Sequence, residues 1–219
     1  MATPYFQLRL DSVPSTQDVA RESIDDLPVL VIASTQTAGR GRAGAGWLNA
    51  ERALAASLAI RDRPNDERPL SLMAGIAATR VVPGARLKWP NDVIVDHLKV
   101  GGILVERSSG VSVVGMGLNL WWPTAPEGMG AVYDSDPGGE THAQLGALWC
   151  AELMELIDGG GWPMDAYLEV SDTIGTDVVW EPDGSGRAVG VAADGALIVE
   201  TPNGTEQIYS GAIRHLRPG

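Results

Sequence analysis

Apolar positions along the chain change period several times, and each change marks an element. Between Tyr5 and Val13, Phe6, Leu8 and Leu10 alternate with Gln7, Arg9 and Asp11, the two-residue period of a strand. Pro14 breaks it. Ser15 or Thr16 can cap a helix over about Gln17 to Asp25, with Asp18 near its positive end. Val29 to Ser34 is a continuous apolar run of the buried-strand kind, and Ala53 to Ile60 reads as another strand, although a helix can be argued there. Within Pro69 to Val82, Leu72, Met73, Ile76, Ala77 and Arg80 follow helical spacing until Pro83-Gly84 stops them. Val93-Ile94-Val95 and Ile103-Leu104-Val105 flank a turn at Asp96-His97, a hairpin that brings Lys99 close to Asn91 and Asp92.

Val111 to Leu120 is the next strand. Gly115 and Gly117 fall on one face of it, leaving a strip without side chains against which a flat ligand can lie. Pro123 to Glu140 is rich in Pro, Gly and Asp and reads as a loop. Thr141 to Ile157 puts Leu145, Leu148, Trp149, Leu153 and Leu156 on one helical face, and a short helical piece follows around Pro163 to Glu169. From about Ile174 the texture changes to short strands, Asp177–Pro182, Arg187–Ala193, Ala196–Pro202 and Thr205–Gly211, punctuated by Asp183-Gly184, Asp194-Gly195 and Asn203-Gly204. Their size suggests a small SH3-type barrel, so the expected division is residues 1–172 and residues 173–219.

Composition narrows the function classes. The 219 residues carry a net charge of −12, which argues against generic nucleic-acid binding. The single cysteine, Cys150, rules out an intrachain disulfide and fits a reducing cytoplasm; its apolar helical setting suits packing better than catalysis. The N-terminus lacks the pattern of a secretory signal, and a cytoplasmic location is expected. The only lysines are Lys88 and Lys99, both in one short segment, in a chain that otherwise uses arginine.

The stretch that carries most chemistry is Thr37-Ala-Gly-Arg-Gly-Arg-Ala-Gly-Ala-Gly-Trp47. Arg40 and Arg42 stand among Gly39, Gly41, Gly44 and Gly46. Glycine allows close backbone approach and arginine supplies a forked cation, so the segment suits a mobile lid over an anion. A solvated surface turn fits the same residues. A dinucleotide-binding turn does not: a polar run separates Gly39 from the preceding strand, and Ala45-Gly46-Trp47 is a poor helix start.

Taken in order, Gly-Arg-Gly-Arg-x-Gly with Arg40 and Arg42, Lys88-Trp-Pro-Asn-Asp92, Lys99-x-Gly-Gly-Ile-Leu-Val-Glu106 and Gly115-x-Gly-Leu-Asn119 resemble the biotin–protein ligase family over nearly the whole chain. Ser15-Thr16, Gln36 and the small C-terminal barrel fit the same pattern. The resemblance implies an α+β fold: a mixed sheet packed on helices, class II synthetase-like and shared with lipoate ligases, plus the SH3-like domain. It implies that biotin's carboxylate attacks the α-phosphate of ATP, giving biotinyl-5′-AMP. A lysine of a biotin carboxyl carrier domain, part of a biotin-dependent carboxylase, then takes the biotin.

On that resemblance Ser15, Thr16, Gln36, Gly39, Arg40, Lys99, Gly101 and Gly102 bind biotin. Arg40, Arg42, Trp47, Asn91, Gly115, Gly117, Asn119 and Arg217 bind the nucleotide. Arg40, Asp92 and Lys99 carry the chemistry. Asn91 and Asp92 would position Mg²⁺, phosphate or the incoming lysine, and no metal ligands are assigned. Ala43 and Ala45 make the loop less basic than the family often shows. No helix-turn-helix segment precedes the catalytic part, so operator binding is not expected. A lipoate-handling transferase of the same fold and a protein that binds biotin or its adenylate without transferring it stay open, as do monomer and homodimer.

Overall fold

A computed structural model describes residues 3–64, 66–182, 184–209 and 213–215. The elements in chain order are β1 (Phe6–Val13), α1 (Thr16–Ser23), β2 (Val29–Gln36), β3 (Arg52–Arg61), α2 (Leu70–Val81), β4 (Arg86–Lys88), β5 (Asp92–Val95), β6 (Leu98–Ser108), β7 (Val111–Trp121), α3 (Thr141–Asp158), α4 (Met164–Val170), β8 (Asp177–Trp180), β9 (Gly184–Val191), β10 (Leu197–Thr201), β11 (Gly204–Ile208) and β12 (Ile213–His215).

Seven strands form one mixed sheet in the order β1-β2-β3-β7-β6-β5-β4, in which β1 and β2 are parallel and every other pair is antiparallel. The continuous apolar runs follow from this layout, because both faces of the central strands are covered. Leu30, Ile32, Leu54, Leu58, Met116 and Leu118 point into a core shared with α2 and α3. Val29, Val31, Ala59 and Val113 point to the other face, where Ala20 of α1 packs on them. Each such leucine or isoleucine, fully removed from water, stabilises the fold by roughly 1.5–3 kcal/mol. Leu148 departs from the predicted buried face of α3: its neighbour Trp149 is buried, whereas Leu148 is exposed.

The C-terminal strands form a second, five-stranded sheet in the order β11-β10-β9-β8-β12. Among the described residues no pairing joins β12 to β11, and the five strands make the small C-terminal β domain that the sequence predicts. Trp89 ties it to the larger unit by donating its Nε1–H to the Gly195 carbonyl, 3.0 Å away. Arg217 lies outside the described residues. The loop from Pro123 to Glu140 is pinned by the bidentate Arg52–Asp136 pair and runs beside Lys99, whose backbone carbonyl accepts from the Gly130 N–H at 2.9 Å.

Candidate active site

Small side chains make the floor of the site. On the α1 face of the sheet, β3 carries Ala55 and Ser57, β7 carries Gly115 and Gly117, and β6 carries Gly102. Strand pairing sets Ser57 opposite Gly115, and Gly117 between Ala55 and Gly102. The same strands turn Leu54, Met116 and Leu118 to the opposite face. A cavity of about 220 Å³ results, closed on one side by Ser15, Thr16 and Gln17 at the start of α1 and on the other by the 40–47 loop.

One end of the cavity is polar and uncharged. The Thr16 backbone N–H and hydroxyl donate to Gln36 Oε1 at 2.8 and 3.1 Å, and the Thr16 and Ser57 hydroxyls share a 2.8 Å bond. Gln17 donates to the Leu104 carbonyl at 3.3 Å. Ser15 Oγ and Gln17 Oε1 are buried with no partner among the described residues. A buried polar atom without a partner costs about 1–3 kcal/mol, so these two are suited to a ligand that completes them. Ser15 stands at the helix N-cap by backbone position, but its hydroxyl makes no capping bond.

Three cations also line the cavity, each with a partner. Lys99 Nζ meets Asp92 Oδ1 at 2.5 Å across the β5–β6 hairpin, as the sequence predicts. Arg42 donates to Asn91 Oδ1 at 3.3 Å. Arg40 forms a bidentate pair with Asp18, at 2.7 and 2.8 Å, and donates to Glu106 at 3.2 Å. The Arg40 guanidinium holds the Asp18 carboxyl below the usual range, and Asp18 in turn raises Arg40.

The glycine-rich stretch is a hydrogen-bonded hairpin rather than a loose lid. Gly41 N–H donates to the Ala45 carbonyl at 2.6 Å, and Trp47 N–H to that of Gly39 at 2.9 Å. Ala43 occupies the left-handed region at φ 53°. The hairpin folds Trp47 inward. A Cβ on Gly117 would lie 2.6 Å from Trp47 Cζ2, and one on Gly115 would lie 3.1 Å from Gln17 Oε1. The strip expected to receive a flat ligand is therefore covered by the chain's own indole and amide.

Ser15, Thr16, Gln36, Arg40, Arg42, Trp47, Asn91, Asp92, Lys99, Gly102, Gly115 and Gly117 all line this cavity. Gly39, Gly101 and Asn119 do not. Gly39 packs against Gln36, where a Cβ would sit 3.0 Å from Nε2. Gly101 lets β6 approach β7, since a Cβ there would meet the Gly117 carbonyl at 2.5 Å. Asn119 is fully buried and donates to the Gly130 carbonyl at 3.2 Å, stapling the 123–140 loop. Gln17 and Ser57 line the cavity without standing out in the sequence beforehand; a serine inside the apolar 53–60 run was the available signal. A wider recess of about 670 Å³ lies elsewhere, between Arg63, Pro64, Asp66, Glu67 and Arg68 on one side and Ala192, Ala193 and Asp194 on the other, and contains none of these groups.

Comparison with known proteins agrees with this fold. Residues 10–120 match the biotin/lipoate A/B protein ligase family, and residues 183–216 match the biotin protein ligase C terminal domain. The chain belongs to the biotin/lipoate A/B protein ligase family. Within it, the chain is 32% identical to a biotin–[acetyl-CoA-carboxylase] ligase of Mycobacterium tuberculosis, over 86% of this chain and 79% of that protein. It is 31% identical to a ligase of the same name from Paracoccus denitrificans, over 84% and 88%. Its fold superimposes on a biotin protein ligase from Aquifex aeolicus, solved in complex with biotin and ATP, with TM-score 0.83, 24% identity and coverage of 97% and 99%. No helix among the described residues is long and apolar enough to cross a membrane.

Proposed function

We propose that this chain is a biotin–protein ligase that couples biotin to a lysine of a biotin carboxyl carrier domain through biotinyl-5′-AMP. The observation that carries the reading is one cavity that brings two buried polar atoms, without a partner among the described residues, together with three paired cations. Biotin's ureido group offers one acceptor oxygen and two N–H donors. Ser15 and Gln17 supply a hydroxyl and a carbonyl oxygen for it, while Thr16, Gln36 and Ser57 hold each other in place.

That orientation sends the valeryl carboxylate towards Lys99 and Arg42. A carboxylate oxygen attacks the α-phosphorus of ATP, the bond to the β-phosphate oxygen breaks, and pyrophosphate leaves. Lys99 and the two arginines stabilise the charge that gathers on the α-phosphate and the carboxylate. The neutral amine of the carrier lysine then attacks the acyl carbon, loses a proton, and expels AMP. Trp47 and the hairpin shield the adenylate from water between the two steps. Magnesium would arrive with the nucleotide and would neutralise phosphate charge; Asp92 and the Asn91 side-chain oxygen, now engaged by Lys99 and Arg42, are the oxygen groups of the cavity that could hold it. This reading assigns the chemistry to residues 1–172 and takes the reaction to be cytoplasmic.

Biotin-dependent exchange of radiolabelled pyrophosphate into ATP tests the first step. Exchange with biotin and none with lipoate is expected. Exchange with lipoate alone would favour a lipoate-handling transferase. Tight binding of biotin with no exchange would favour a binding protein.

A further inference from the structure

The hydroxyl hydrogens around Thr16 can be placed by counting donors. The Thr16 backbone N–H can only donate, so the Gln36 atom that it meets at 2.8 Å is the carbonyl oxygen, Oε1. Thr16 Oγ1 lies 3.1 Å from the same oxygen, which has no hydrogen to give, so the threonine hydroxyl donates there. The 2.8 Å bond between the Thr16 and Ser57 hydroxyls must then take its hydrogen from Ser57. Ser57 is completely buried and lines the cavity. With its hydrogen engaged by Thr16, its oxygen can only accept from a ligand.

Gln17 is fixed in the same way. Its Nε2 donates to the Leu104 carbonyl at 3.3 Å, which leaves Oε1 as an acceptor with no partner among the described residues. The two oxygens converge. Strand pairing sets Ser57 opposite Gly115, and a Cβ built on Gly115 would lie 3.1 Å from Gln17 Oε1 and 3.3 Å from Ser57 Oγ. Two buried acceptors therefore look onto one small space that the glycine leaves free, and neither has a hydrogen to offer the other. Such a space takes a group that brings N–H donors and rejects one that brings lone pairs.

We propose that Ser57 is a specificity-determining residue: together with Gln17 it accepts the two ureido N–H groups of biotin, and the chain of hydrogen bonds from Ser57 through Thr16 to Gln36 keeps the serine hydrogen turned away from the ligand. The inference rests on the reading of the cavity as a biotin site, and it gives that reading a physical criterion. A dithiolane ring carries no N–H, so lipoate would leave both oxygens buried and unpaired.

The test is calorimetric binding of biotin and of its two cyclic carbamate analogues, in each of which a ring oxygen replaces one ureido N–H. Wild type should bind each analogue at least about tenfold more weakly than biotin. Ser57→Ala should bind biotin about five- to tenfold more weakly than wild type does, the scale of one hydrogen bond. Its preference for biotin over one analogue should fall to within about twofold, while its preference over the other, whose missing N–H faces Gln17, should persist. A serine that only braces Thr16 would weaken biotin and both analogues by the same factor, and that result overturns the proposal. So does an unchanged affinity of Ser57→Ala for biotin. If the variant does not fold, wild type alone decides, because a wild type that binds either analogue as tightly as biotin also overturns it. A wild type that binds no biotin refutes the underlying reading of the cavity and this inference with it.

Discussion

Trp47 covers Gly117 so closely that a single methyl group on the glycine would lie 2.6 Å from the indole. The contact joins the lid hairpin to the middle of the sheet, and it fits only because β7 has no side chain there. Gly117→Ala must push the indole out or shift the strand, an overpacking cost of about 1–3 kcal/mol. The expected outcome is a folded protein with a modest loss in thermal stability, which releases biotinyl-AMP into solution at least ~10-fold faster than wild type. Chromatographic measurement of the released adenylate checks this.

Ser15 and Gln17 offer the opposite combination. Their oxygens are buried and have no partner among the described residues, so removing one should not cost stability. Ser15→Ala is expected to melt at or above the wild-type temperature. Its affinity for biotin should fall about 5–10-fold, the scale of one hydrogen bond, while the KM for ATP stays put. Melting curves and biotin titration of the same preparation decide it.

Lys99→Ala and Arg40→Ala should keep the fold, because both side chains are at least a third exposed. They should lower the rate of adenylate formation by about 10²–10³, the usual effect of deleting one transition-state donor. A variant of either kind that labelled acceptor protein at the wild-type rate would refute its assignment.

Asp66 gives a pH signature away from the site. Hydrogen bonds from the Arg68 side chain, supported by its backbone N–H, hold the Asp66 carboxyl down to about 2. A depressed carboxyl contributes stability above its ordinary value near 3.8 and loses it as pH falls through the folded value. Asp66→Asn should therefore be less stable than wild type at pH 7, and the gap should close between about pH 4 and pH 2. Denaturant titrations across that range measure it.

Cys150 is fully buried in α3, and burial pushes its thiol up to about 12. It should resist thiol reagents at pH 8 in the native protein and react at once in denaturant. Rapid native labelling would contradict its place in the core and would revive a thiol-based transfer mechanism.

Much of this was readable from periodicity and spacing. The helical repeat at Leu72–Ala77 and the hairpin linking Asp92 to Lys99 each reflect a local rule that tertiary packing preserves, whereas the alternation at Phe6–Leu10 marks a strand whose Phe6, Leu8 and Leu10 stay exposed. The rest has tertiary causes. Gly101 lets two strands approach and Asn119 holds a loop, duties their motifs do not announce, while Asn119 Oδ1 stays buried without a partner among the described residues. Gly115 and Gly117 signal an open strip, but only the folded chain shows that Gln17 and Trp47 cover it. Asp18 reads as a residue for the helix dipole; that it grips Arg40, 22 positions away, depends on where the hairpin folds. The exposure of Leu148 beside buried Trp149 depends on how α3 rolls against α2 and the sheet, which a helical wheel does not determine.

The most direct test of the account is to incubate the protein with biotin, ATP, Mg²⁺ and a purified biotin carboxyl carrier domain and to weigh the carrier by mass spectrometry. The account predicts the mass gain of one biotinyl group on a single lysine, dependent on ATP and accompanied by AMP and pyrophosphate. A carrier that gains no mass, or gains it only when lipoate replaces biotin, would contradict it.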